Sequence, residues 1–110
     1  MITMDEGGGY YDSGYVQPID FFGDGTRIPM IVVSRFSRNV GVVHAYEDHV
    51  SFDKFVEANW KVGTISPWSR DNLPNPVASR DEPYVPRNAP AIGDLMEMFR
   101  FHHDPGHGAD

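Results

Sequence analysis

Six of the nine prolines in this 110-residue chain fall between residues 67 and 90: Pro67, Pro74, Pro76, Pro83, Pro86 and Pro90. Proline has no backbone N–H to donate, and its ring clashes with the preceding helical turn. The stretch is therefore closed to a long helix and to a central strand, and it reads as a meandering surface segment. Glycine sets a second limit, with six of eleven glycines between residues 7 and 25. That region reads as a long loop with a turn at Gly23-Asp24-Gly25. It also holds Tyr10, Tyr11, Tyr15, Phe21 and Phe22, which predicts a packed loop.

Regular structure is left to the remaining segments. Met1 to Met4 reads as the end of a short buried strand, so the chain is expected to open in mid-strand. Ile28 to Ser34 is the clearest strand. Its Met30, Ile31, Val32 and Val33 are apolar on both faces, as in a parallel sheet covered by helices. Pro29 suits the first strand position. Val40 to Tyr46 is a weaker extended segment. Ser51 to Trp60 is the best helix, with Phe52, Phe55, Val56 and Trp60 forming one apolar stripe. Asp48 or Ser51 could cap it, and Gly63 is a plausible stop. Ile92 to Phe101 reads as a short helix with Ile92, Leu95, Met96 and Phe99 facing inward. Residues 102–110 read as a frayed tail.

Composition narrows the function classes. The length fits one domain. Nine Lys and Arg against 16 Asp and Glu give a net charge of -7. That balance offers no broad basic face for phosphates, so nucleic acid is a poor partner. No apolar run approaches the ~20 residues of a bilayer span. The opening residues have no cationic start followed by an apolar stretch. There are no cysteines, hence no disulfide and no thiolate metal site. Either side of a membrane remains open.

Four constellations carry chemistry. Asp5-Glu6 ends a strand and precedes three glycines. Adjacent carboxylates there suit a hard or borderline divalent cation, or else form a solvated acidic turn. Tyr46-Glu47-Asp48-His49-Val50-Ser51 leads into the main helix, whose free N–H groups could meet an anion. His49 and Ser51 could assist, or serve as a structural histidine and a cap. His44 is a weaker substrate-binding candidate, near His49 only if the chain turns. His102, His103, Asp104 and His107 could chelate a stray metal from a Gly/Pro-rich tail. Arg70, in Ser69-Arg70-Asp71-Asn72-Leu73, faces either an anion or a structural aspartate. No nucleophile elbow, phosphate-cradling loop or metalloprotease helix occurs.

The order of these segments resembles a known family. Ile-Thr-Met-Asp-Glu-Gly-Gly-Gly-Tyr-Tyr-Asp (2–12) looks like the metal-binding strand end of the bacterial phosphoesterase family. That family holds non-haemolytic phospholipase C and acid phosphatase A type enzymes, within the alkaline phosphatase superfamily. Gly25 to Ser34 resembles its arginine-proline strand. Asp48-His49-Val50-Ser51 and Phe52 to Trp60 resemble its Asp-His-Thr-Ser helix start and Phe-Ile-Glu-x-Asn-Trp helix. Ser69 to Pro76 resembles its Arg-Asp-Asn-Leu-Pro-Asn-Pro stretch, and Pro90 to Phe101 its closing helix.

The resemblance implies an α/β fold. Residues 1–101 would form the C-terminal part of an alkaline-phosphatase-like sandwich with a mostly parallel central sheet, and 102–110 a disordered tail. It implies a hydrolase acting on phosphate esters or phospholipids. In the family a metal-bound hydroxyl side chain attacks phosphorus, and water then releases the covalent intermediate. Asp5 and Glu6 match the metal-binding acid pair, for a divalent ion of unspecified identity. His49 matches the motif's histidine, in contact with phosphate or in support. Full-length relatives are commonly exported.

Some positions depart from the pattern. Arg35 stands where the family tends to have proline, Val50 replaces a threonine, Asp53 an apolar residue, and Lys61-Val62 a Gly-Leu-like helix end. The family's nucleophile lies upstream of the acid pair, so this chain is expected to lack it and to be inactive by itself. The alternative function is a non-catalytic, small, acidic metal-binding or interaction domain. A strand apolar on both faces needs neighbours and covering helices, so low stability or aggregation is expected.

Overall fold

A computed structural model of the chain describes residues 1–38 and 41–101. Its regular elements are β1 (Ile2–Thr3), β2 (Met30–Ile31) and α1 (Ser51–Trp60), with 3₁₀ turns at Arg70–Asn72 and Met96–Met98. This is a small α/β mixture of one helix and a two-stranded sheet. No helix among the described residues is long and apolar enough to cross a membrane.

The strand expected over Ile28 to Ser34 is much shorter, and its pairing differs from a parallel sheet. Ile2 faces Ile31 and Thr3 faces Met30 in antiparallel register. Thr3 Oγ1 also donates to the Pro29 carbonyl at 2.8 Å, so Pro29 lies just before the ladder. Beyond Ile31 the outward side chains lack a covering layer: Ile31 is 57% and Val33 79% exposed. Without a second neighbour and a cover, a doubly apolar segment does not extend its ladder. No parallel pairing occurs among the described residues. The weaker extended segment forms no strand over 41–46, and Val40 lies outside the described residues.

α1 has the expected bounds, but its buried face is not the apolar stripe. Ser51 and Lys54 are its buried residues. Phe52 and Phe55 are half-buried, while Val56 and Trp60 are exposed. The stripe finds one aromatic partner, Phe99, whose ring lies 5.2 Å from that of Phe55. Lys54 turns the other side inward because its ammonium reaches two carbonyls, Leu73 at 2.6 Å and Ile92 at 2.5 Å. Those bonds satisfy a charge that burial would otherwise penalise.

The helix starts and stops with its own devices. The Val50 N–H donates to Asp48 Oδ1 at 2.7 Å, and the Asp48 N–H donates to Ser51 Oγ at 3.1 Å. Both side chains thus tie the turn before the helix and cap none of its N–H groups. The stop comes at Lys61, not Gly63. Lys61 takes a left-handed conformation (φ 56°), and the N–H groups of Lys61 and Val62 both donate to the Glu57 carbonyl.

Ala91, Ile92 and Leu95 form the fully buried apolar core. Segment 91–93 is stitched from four directions. The Gln17 amide pairs both ways with Ala91, at 2.7 and 2.9 Å. The Ile92 N–H donates to Pro74, the Gly93 N–H to Tyr46, and the Ile92 carbonyl accepts from Lys54. Ile92 and Leu95 are core residues as expected, but not on a helix spanning 92–101. Leu95 is left-handed (φ 60°), and only a 3₁₀ turn follows it.

The proline-rich stretch behaves as its composition requires, with one 3₁₀ turn and no strand. It folds back on itself through Asn88, which pairs with the Val77 N–H and the Asn75 carbonyl. The 7–25 loop differs from the packed aromatic loop expected. Tyr15 packs edge-on against Tyr46 at 6.0 Å, but Tyr10, Tyr11, Phe21 and Phe22 are exposed. Polar ties hold this loop instead: Asp12 to Arg27 and Asp20 to Arg70. The frayed-tail reading of 102–110 falls outside the described residues.

Candidate functional site

A cleft of about 450 Å³ opens where the end of β1 meets the turn leading into α1. Asp5, Glu6, His44 and His49 all line it. Four of the five candidate residues, 38 or more positions apart across the two groups, therefore share one cavity. Ser51 does not line it. Ser51 is fully buried, and its hydroxyl accepts the Asp48 N–H.

His49 reaches the strand end. Its Nε2 lies 3.0 Å from the carbonyl oxygen of Met4, the residue before Asp5. His44 is exposed and sets its ring edge-on to Tyr84, with centroids 4.8 Å apart. Asp5 and Glu6 are exposed, and Asp5 Oδ1 accepts the Glu6 N–H at 3.1 Å.

Asp24, Glu47 and Asp48 add three carboxylates to the lining. Tyr46 connects the wall to the 7–25 loop: its hydroxyl donates to Asp24 Oδ2 at 2.8 Å and accepts the Gln17 N–H. Burial, reinforced by Asp24 and Asp48, pushes the Tyr46 phenol well above its usual range. Burial also pushes the Glu47 carboxyl up to about 7, and Asp94 and Glu97 add to the shift. Asp48 is raised too, by burial first and by Asp24, against the Val50 amide and Arg70.

The basic groups nearby are already committed. Arg27 lines the cleft, but its Nη2 is 2.6 Å from Asp12 Oδ1. Asp12 is held well below the usual carboxylate range by that bond. Arg70 stands behind the wall as a hub. It is 2.7 Å from Asp20, 3.5 Å from Asp48 and 3.9 Å from Asp24, and it donates to the Gly23 carbonyl. Of the two roles open to Arg70 in the sequence, these contacts match the structural pairing. Its partners are Asp20, Asp24 and Asp48, and not the adjacent Asp71, which accepts the Ile65 N–H.

Two adjacent, solvent-facing carboxylates suit a hard or borderline divalent cation. Among the described residues, however, no group of three His, Asp or Glu could hold one. Asp5 and Glu6 could supply two donors at most, and the described residues do not enclose an ion site. The tail group His102, His103, Asp104 and His107 falls outside the described residues.

Sequence reasoning missed the wall. The sequence marks Asp24 only as part of a turn and Glu47 only as part of the run into the helix. For Glu47 the available signal is its place in the Tyr46 to Ser51 motif. Asp12 and Arg27 also stand in motifs, 2–12 and 25–34, but nothing in either motif pairs them.

The family model described as "Phosphoesterase family" matches residues 1–63. That span carries Asp5, Glu6, His44, His49, Ser51 and every other carboxylate of the cleft. The chain belongs to the phosphoesterase family. At the family level the function is hydrolysis of phosphate esters. Neither the curated proteins nor the solved structures gave a match to the chain.

Proposed function

We propose that the cleft is part of a metal-dependent phosphoesterase site of the phospholipase C and acid phosphatase type. The observation that carries this reading is the sign of the cleft: five carboxylates line it, and its one arginine is paired with Asp12. A phosphate ester is an anion and is repelled from such a wall unless a cation neutralises it. Asp5 and Glu6 are the donors assigned to that cation. They would hold a divalent ion, which when bound would supply positive charge to a phosphoryl oxygen.

The chain's own residues do the rest of what it contributes. Asp5 and Glu6 hold charge at the strand end. His44, exposed in the cleft lining, is assigned to meet the substrate. Ser51 is assigned to shaping the helix start. The hydrolysis adds water across the P–O bond, oxygen to phosphorus and hydrogen to the departing alcohol. The nucleophile and further metal donors are assigned outside the described residues, as the family resemblance implies; the described residues hold no group of three metal donors, and Ser51 is buried and bonded. On this reading the described portion is the closing part of an alkaline-phosphatase-like sandwich. The uncovered faces of Ile31 and Val33 then receive the further strands and helices.

The test is p-nitrophenyl phosphate with a panel of divalent ions. The chain should bind the ester only when an ion is present and should not release nitrophenol rapidly. Rapid metal-dependent turnover would contradict the missing nucleophile, and metal-independent binding would contradict the metal role. The absence of a third donor also favours a second reading, a non-catalytic metal-binding or interaction domain. Restored turnover on adding a family polypeptide that lacks this region distinguishes the first reading from the second.

A further inference from the structure

The antiparallel ladder ends at Thr3, opposite Met30. The Met4 carbonyl follows, outside the ladder, and Asp5 and Glu6 come next. What holds that carbonyl is the imidazole of His49, with Nε2 at 3.0 Å. A carbonyl oxygen only accepts, so Nε2 must carry the hydrogen.

His49 itself is held on both sides. The Val50 N–H bonds to Asp48 Oδ1, and the Asp48 N–H to the buried Ser51 hydroxyl. Arg70 lies 3.5 Å from the second Asp48 oxygen and ties this turn to the loop carrying Asp20. The ring is therefore presented from an anchored turn to a strand end with no ladder partner of its own.

We propose that His49 is a positioning residue. Its Nε2–H fixes the Met4 carbonyl, and so fixes how the next two residues present their carboxylates to the cleft. This assigns His49 to holding the acid pair instead of touching phosphate, and it rests on the reading of Asp5 and Glu6 as cation donors. Outer groups that orient metal donors typically change affinity by about 10–100-fold when removed.

Two measurements on the full chain test it. In the metal-free chain, the ring nitrogen shifts of His49 should report hydrogen on Nε2 and a lone pair on Nδ1 at a pH where the ring is neutral. Hydrogen on Nδ1 would overturn the proposal without reference to any metal. In calorimetric titration with Mn²⁺, H49A should bind about tenfold more weakly than the wild type. H49Q, whose amide can still donate to the carbonyl, should stay within about threefold. Equal affinity in H49A and wild type overturns the positioning role, and H49Q as weak as H49A overturns the hydrogen-bond account. A wild type that binds no Mn²⁺ overturns the cation reading and the functional half of this proposal, while the tautomer still decides the contact.

Discussion

The carboxylate of Glu47 packs directly against Gly93, so closely that a Cβ built at position 93 would overlap both of its oxygens. Gly93 is buried, and its N–H bonds to the Tyr46 carbonyl at 2.8 Å. The wall of the cleft thus lies against the core segment with no side chain between them. Gly93→Ala should lower stability by about 1–3 kcal/mol, the usual cost of overpacking. Denaturant unfolding checks this. The loss should shrink when Glu47→Ala is added, because the two residues share the same space. Equal losses in both backgrounds would mean that the clash is not with Glu47.

Glu47 also makes stability depend on pH. Its folded value of about 7 lies above the ordinary 4.5, chiefly through burial. The folded state therefore holds the proton more tightly than the unfolded chain does. The contribution is fully present below about 4.5 and is lost as pH rises through about 7. The change is on the order of 3 kcal/mol over that window. Unfolding curves across the window should fall with pH in the wild type and flatten in Glu47→Gln. The same slope in both would place the titration elsewhere.

Arg70 ties its own turn to two segments far from it in sequence, the 20–24 loop through Asp20 and Asp24 and the turn before α1 through Asp48. Arg70→Met should destabilise by about 1–2 kcal/mol, since partly exposed pairs are weak individually. A more specific sign is the Asp20 carboxyl, which Arg70 holds below the ordinary carboxylate range. In Arg70→Met its NMR titration should move up toward that range. An unmoved Asp20 would contradict the pairing.

Lys61 ends α1 in a left-handed conformation, where a Cβ is unfavourable and glycine is not. Lys61→Gly should therefore stabilise the chain by about 1 kcal/mol, read as a raised unfolding midpoint. A lowered midpoint would mean that the lysine side chain supports this turn.

The parts of the fold legible in the sequence are those with local causes. Ser51 to Trp60 is a helix because its spacing and its neighbours within one turn favour one, and the bounds agree. The prolines of 67–90 exclude a long helix and a central strand whatever the chain packs against. Which face the helix buries is not local. Lys54 turns inward because carbonyls arrive from Leu73 and Ile92, and no pattern within 51–60 announces them. The Ile28–Ser34 strand failed for the same reason, as its length depends on neighbours and a cover that the described residues do not supply. The ordered motifs contain Asp5, Glu6 and His49 but not His44, and nothing local announces that the four share one cleft. Asp24 and Glu47 join them by loop closure, through ties such as Tyr46 to Asp24.

The assignment of Asp5 and Glu6 to a divalent cation is tested most directly by calorimetric titration of the wild type and the Asp5→Ala/Glu6→Ala double variant with Mn²⁺. Both residues are exposed, so the double variant should unfold at nearly the wild-type temperature. The wild type should bind the ion, and the double variant should show no binding above the buffer heat. Equal binding by the two proteins, with both folded, would contradict the assignment.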